Sequence, residues 1–183
     1  MRRRALLLSA AGVLLAAGCG SGEDEPAAFV DPPPSSASSP ASAPAAPVTV
    51  PATLKFGGRT LDGKPFEAST LAGKPAILWF WAPWCATCAS EAQSVQTLQE
   101  EYEGRLSFLG IAGLGGNKEM HQFVADLEVS NVTHLDDGAG KIWKKFKITE
   151  QSLYVVLDRA GKVVTTGYLD DQQLRSQVKS LVA

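Results

Sequence analysis

Ala76-Ile77-Leu78-Trp79-Phe80-Trp81-Ala82-Pro83-Trp84-Cys85-Ala86-Thr87-Cys88 holds the two features that decide the fold. The first is the unbroken apolar run from Ala76 to Trp81, the pattern of a central strand buried on both faces. The second is the Cys-x-x-Cys pair, Cys85 and Cys88, which opens a helical pattern from about Ala86 to Glu103 with Ala92, Val95, Leu98 and Tyr102 on one face. Such a pair after a buried strand and at a helix start is a strong redox signal. Cys85 falls at the helix N-terminus, where unpaired backbone N–H groups and the macrodipole favour an anion. That lowers the thiol pKa and yields a thiolate near neutrality. Cys88, about one turn on, is close enough to attack a mixed disulfide on Cys85. The expectation is an exposed nucleophile at Cys85 and a buried resolving thiol at Cys88.

Two blander uses of the pair stay open. A structural zinc site needs four ligands, and His121 and His134 have no ligand-like spacing to the pair. An inert disulfide suits an exported protein, but stabilisation rises with loop size and this loop is very short.

Around this centre the chain alternates strands and helices. Leu54-Lys55-Phe56 and Lys64-Pro65-Phe66 flank an Asp62-Gly63 turn and read as a hairpin. Leu106 to Ile111 reads as a second buried strand. Met120, Phe123, Val124 and Leu127 form an amphipathic helix started by Asn117. Ile142, Trp143 and Phe146 mark a short helix. Leu153–Leu157 and Val163–Tyr168 are strands joined by the turn Asp158–Gly161, and Asp170 caps a last helix carrying Leu174, Val178, Leu181 and Val182. The order is hairpin, β, α, β, α, short α, β, β, α. It predicts an α/β domain with a mainly parallel sheet covered on both faces and made mixed by the closing hairpin.

The N-terminal part has a different character. Arg2–Arg4 precede a short apolar run, Ala5–Ala17, too short to span a bilayer and suited to an export signal. Leu15-Ala16-Ala17-Gly18-Cys19 resembles a bacterial lipobox, in which the cysteine becomes the lipidated N-terminus. A plain secretory signal is the alternative. Residues 20–51 hold eight of the eleven prolines and almost no large apolar residue, which predicts a disordered, semi-stiff tether. Residues 52–183 are long enough for one real core. The formal net charge is −2; without Arg2–Arg4 it is −5, and the domain alone balances 14 basic against 15 acidic residues. Nothing in that balance points to nucleic acid.

Trp81 to Cys88 resembles the active-site stretch of extracytoplasmic thioredoxin-like proteins, DsbE/DsbF-like lipoproteins related to TlpA and ResA. The likeness runs from about Leu54 to Ala183 and includes Gly73-Lys74-Pro75 and Asp158-Arg159-x-Gly161. It implies a thioredoxin fold, a central mixed sheet flanked by helices, here with an extra N-terminal β-hairpin. It implies a redox-active Cys85–Cys88 disulfide and no metal or organic cofactor. The implied substrates are exported cysteine-containing proteins, served by an upstream membrane redox partner. The implied place is the outer face of the bacterial cell membrane, held by lipid at Cys19, or secreted in the alternative.

The resemblance also singles out Glu91, three residues after Cys88 on the same helix face. Related proteins often carry a glutamate there, while the wider thioredoxin family has an aspartate in the preceding strand where this chain has Trp79. Glu91 is thereby a candidate proton donor and acceptor for Cys88, against the plain reading of a solvated helix glutamate. Trp84 would shape the lip of the site, and Thr87 would hydrogen-bond near the sulfurs.

Three residues depart from the pattern: Ala86 and Gln93 stand where the family often has proline, and Ser152 fills the cis-proline slot. A cis bond before a non-proline residue costs about 2.5–4 kcal/mol, which predicts a trans Gln151–Ser152 bond and an altered loop. Gln151 and Ser152 would line that loop, with weaker substrate docking or a shifted redox potential. The reading is an exported thiol–disulfide oxidoreductase that oxidises or reshuffles disulfides. The alternatives are a reductase for cytochrome c maturation and a non-catalytic binding module, the last suggested by Ser152.

Overall fold

The computed structural model describes residues 49–183. The expected signal segment, Cys19 and nearly all of the tether lie outside them. Eleven regular elements follow in order: β1 (Gly57–Thr60), β2 (Pro65–Glu67), β3 (Ala76–Trp81), α1 (Ala86–Glu101), β4 (Ser107–Ala112), α2 (Asn117–Asp126), β5 (Thr133–Asp136), α3 (Lys141–Lys145), β6 (Leu153–Leu157), β7 (Val163–Gly167) and α4 (Asp171–Val182). Short 3₁₀ turns cover Ala52–Leu54 and Ala68–Leu71.

The seven strands form one mixed sheet in the order β2-β1-β5-β4-β3-β6-β7. β3 lies near its centre, parallel to β4 and antiparallel to β6. Its side chains alternate between two cores, as the period of a strand requires. Ile77, Trp79 and Trp81 pack with Val95 and Leu98 of α1, Met120 and Phe123 of α2, and Leu174 and Val178 of α4. Leu78 and Phe80 pack on the other face with Ile142 and Trp143 of α3 and with Leu54. All six residues of β3 are buried, which is why the run carries no polar residue. This is the α/β thioredoxin-type arrangement expected, with the N-terminal hairpin added at one edge through β1 and β5, but the sheet is not mainly parallel: among the described residues only β3–β4 and β4–β5 pair in parallel, because both hairpins and the β3–β6 and β1–β5 pairings run antiparallel.

Several local expectations need correction. The first hairpin strand is Gly57–Thr60, not Leu54–Phe56; Leu54 instead closes a 3₁₀ turn and anchors in the second core. The Asp62-Gly63 turn is present, with Gly63 at φ 77. β5 was not anticipated: Thr-His-Leu-Asp is short with a single apolar residue, and its place between β1 and β4 makes it a strand. Asn117 does not cap α2. Gly116 does, its N–H donating to Glu119 Oε2, while Asn117 Nδ2 donates to Leu61 O and Asp136 Oδ2. Asp170 caps α4 as expected, accepting from the Gln173 N–H.

Candidate functional site

The chain leaves β3 at Trp81, turns through Ala82-Pro83-Trp84 and enters α1 with Cys85 as its N-cap residue. The Cys85 N–H donates to Ala82 O at 3.1 Å, which fixes the turn. Cys85 Sγ accepts the backbone N–H of Cys88 at 3.0 Å. A sulfur therefore does what a serine or aspartate oxygen does at most helix starts. The first turn of α1 holds no acidic residue to compete for the positive end of the dipole. Ala86 and Thr87 are exposed at its tip.

Cys85 and Cys88 are joined as a disulfide, their Cα atoms 5.3 Å apart. Cys88 has no exposure and Cys85 only 5 %. The order of accessibility is as expected, but Cys85 is not an open nucleophile. Cys85 instead lines a groove of about 480 Å³ together with Pro83, Trp84, Ala89, Phe123 and Leu127. Trp84 is 61 % exposed and its Nε1 donates to Leu114 O at 2.7 Å, which fixes the ring as one wall of this groove. The expected Thr87 bond near the sulfurs is not the one found: Cys88 N–H supplies it, and Thr87 instead offers its carbonyl to Ser90 Oγ.

Behind Cys88 lies a buried polar cluster. Glu91 projects from α1 into it and is not a solvated surface residue. Trp79 Nε1 donates to Glu91 Oε2 at 2.8 Å, and Ser152 Oγ donates to Glu91 Oε1 at 2.5 Å. Burial raises the Glu91 pKa above the ordinary carboxylate value, and the Ser152 and Trp79 bonds pull it part of the way back. Tyr154, opposite Trp79 in the β3–β6 pairing, lies beside the same carboxylate, yet its fully buried hydroxyl has no well-formed hydrogen bond. Burial, then the Glu91 charge, holds that phenol far above its usual range.

Ser152 sits in the left-handed region at φ 65, and its N–H donates to Phe80 O at 2.8 Å. Proline fits neither feature, since its ring fixes φ near −65° and it has no N–H. The loop is thus closed to proline, and Gln151 beside it is half-buried. The roles of Trp79 and Tyr154 were not read from sequence. Their one visible signal is that Trp79 occupies the slot of the aspartate found in the wider family.

A second buried polar group serves the fold. Trp81 Nε1 donates to His134 Nδ1 at 3.1 Å, and His134 Nε2 faces Val129 O at 3.0 Å. The indole can only donate, so His134 is neutral with its proton on Nε2. Among the described residues no three His, Cys, Asp or Glu side chains converge as metal ligands.

Comparison with known proteins gives a consistent result. Residues 42–182 match the Redoxin family. The "Soluble secreted antigen MPT53" of Mycobacterium tuberculosis is 37% identical over 134 residues, which cover 71% of this chain and 76% of the relative. The structure described as MTB dsbF in its mixed oxidized and reduced forms superposes with a TM-score of 0.68 at 40% identity, covering 73% of this chain and 99% of that one. A secreted Mycobacterium tuberculosis disulfide oxidoreductase, described as homologous to E. coli DsbE, superposes with a TM-score of 0.65 at 32% identity over 70% of this chain and 98% of its own.

Proposed function

The chain belongs to the Redoxin family and is a thiol–disulfide oxidoreductase, and from that premise we propose that Cys85 is the nucleophile, Cys88 the resolving thiol and Glu91 the proton acceptor for Cys88. The observation that carries this reading is the placement of Cys85 Sγ as the cap of α1, accepting the Cys88 N–H at 3.0 Å, with Cys85 lining the groove. A sulfur so placed is stabilised as a thiolate by the helix end. In reduction, the Cys85 thiolate attacks one sulfur of a substrate disulfide and forms a mixed disulfide, releasing the other substrate thiolate. Cys88 then gives its proton to Glu91 and attacks the Cys85 sulfur. The Cys85–Cys88 bond forms and the second substrate thiolate leaves. Oxidation of a substrate dithiol runs the same steps in reverse.

The substrates in this reading are cysteine-containing exported proteins, with the polypeptide lying in the groove against Trp84 and beside the Gln151–Ser152 loop. The domain works outside the cytoplasm, held to the membrane by lipid on Cys19 and recharged by a membrane redox partner. The relatives described as secreted support the compartment. An oxidising compartment favours net oxidation of substrates.

The test compares the purified protein with Cys85→Ser in oxidation of a reduced peptide dithiol and reduction of a peptide disulfide. Wild type should catalyse exchange and the variant should not; equal rates would leave a binding module. The Cys85/Cys88 reduction potential separates oxidase from reductase, because potentials in this fold span roughly −270 to −120 mV. Loss of membrane association in Cys19→Ala tests the anchor.

A further inference from the structure

Glu91 accepts at both oxygens, from an indole at Oε2 and from a hydroxyl at Oε1. The two donors differ in kind. Trp79 Nε1–H can only donate, whereas a serine hydroxyl both donates and accepts. When Glu91 is ionised, both donors point at it. When Glu91 takes a proton, the Trp79 indole cannot accept from it and goes on donating to Oε2. Of the two donors only Ser152, at Oε1, can change from donor to acceptor of the new O–H. Ser152 does this by rotation about one bond. A proline in the same slot offers no such group.

Two further observations fit a cluster built for two protonation states. The Ser152 backbone is fixed by its N–H bond to Phe80 O, so only the hydroxyl need move. The buried Tyr154 hydroxyl lies beside the carboxylate without a partner, and buried polar groups are rarely left so. It is a spare donor for the state in which Ser152 has turned away. The groups that meet Glu91 are Trp79 from β3 and Ser152 and Tyr154 from the β6 side, and Cys88 lies three residues before it on α1; Tyr168 and Asp171 act more distantly through Tyr154.

We infer that Ser152 is a positioning residue acting through Glu91: its hydroxyl, standing where a proline is otherwise expected, is a hydrogen-bond switch that donates to the Glu91 carboxylate and turns to accept from it once it holds the Cys88 proton. This rests on the proposed role of Glu91. The Cys88 S–H proton passes to Glu91 Oε1 as Ser152 turns to accept from it. The Cys88 thiolate displaces the substrate sulfur from Cys85, so that the protein dithiol is oxidised and the substrate disulfide reduced. Glu91 then returns its proton to water, and Ser152 turns back.

The experiment mixes reduced protein with the aromatic disulfide DTNB in a stopped-flow instrument. A first release of coloured thiolate reports attack by Cys85, and a second reports resolution by Cys88. Ser152→Ala and Ser152→Gly both delete the hydroxyl, and glycine is at ease at positive φ. Both variants should leave the first phase unchanged and slow the second by about 10-fold, the worth of one hydrogen bond to a charged group. Its pH midpoint should move upward, because the anion has lost a donor. In a Glu91→Gln background, Ser152→Gly should add no further slowing. A separate ¹³C titration of the Glu91 carboxyl should move upward in both variants whether or not exchange occurs. A second phase and a carboxyl titration like wild type in both variants would overturn the switch. Absence of both phases in wild type, with the carboxyl shift present, would sink the proposed function and leave the switch standing.

Discussion

Acidification from about pH 7.5 to about pH 3.5 is expected to remove about 3 kcal/mol of folding stability through His134 alone. Burial lowers its pKa from 6.5 to about 4, and the neutral ring is held by the Trp81 indole N–H on one nitrogen and Val129 O on the other. Protonation would put a new N–H on Nδ1 against the indole N–H, with no acceptor between them. The unfolded chain therefore binds this proton about 2.5 pH units earlier than the folded one. At 1.36 kcal/mol per unit this is about 3 kcal/mol. The sign follows from the depressed folded value: the contribution is complete above pH 6.5, shrinks as pH falls, and is gone below about pH 4. His134→Gln retains a donor and an acceptor but does not titrate. Urea unfolding followed by tryptophan fluorescence, at several pH values, should show wild type losing about 3 kcal/mol more than this variant across the window. Parallel curves for the two proteins would refute the assignment.

Glu91→Gln is expected to raise the thermal midpoint at pH 8 while slowing Cys88-dependent exchange. The folded pKa of Glu91 is raised, so its contribution to stability is present below about pH 4.5 and lost as pH rises through the folded value; a lower midpoint with unchanged exchange would contradict this. Asp137→Ala should cost about 2–4 kcal/mol in denaturant unfolding, because its carboxylate accepts the backbone N–H groups of Lys141, Ile142 and Trp143 at 2.9 Å each. Trp84→Ala should change stability by less than about 1 kcal/mol, since the ring is mostly exposed. The same variant should slow exchange with polypeptide disulfides several-fold in a stopped-flow assay, and an unchanged rate would remove Trp84 from the substrate groove.

The fold class and the cysteine pair were legible in the chain because they rest on local pattern. Ala76–Trp81 is apolar at every position and so declares a central strand. Cys85 stands where a helix begins, and Asp170 caps another by a rule that reaches only three residues. Elements that failed to declare themselves depend on neighbours distant in sequence. Thr133–Asp136 becomes a strand by lying between β1 and β4. Leu54 reads as strand until the second core pulls it into a 3₁₀ turn.

The acid–base machinery divides the same way. Sequence placed Glu91 one turn from Cys88, because helical spacing is a local property. Only the tertiary structure decided that Trp79 and Ser152 meet it, since these donors lie 12 and 61 residues away and reach it from β3 and the loop before β6. Burial, the largest cause of the raised Glu91 pKa, likewise exists only once the sheet and α1 have closed on each other. A residue's identity fixes what it can donate or accept; the packed fold fixes whom it faces and how much water remains, and those two determine its chemistry.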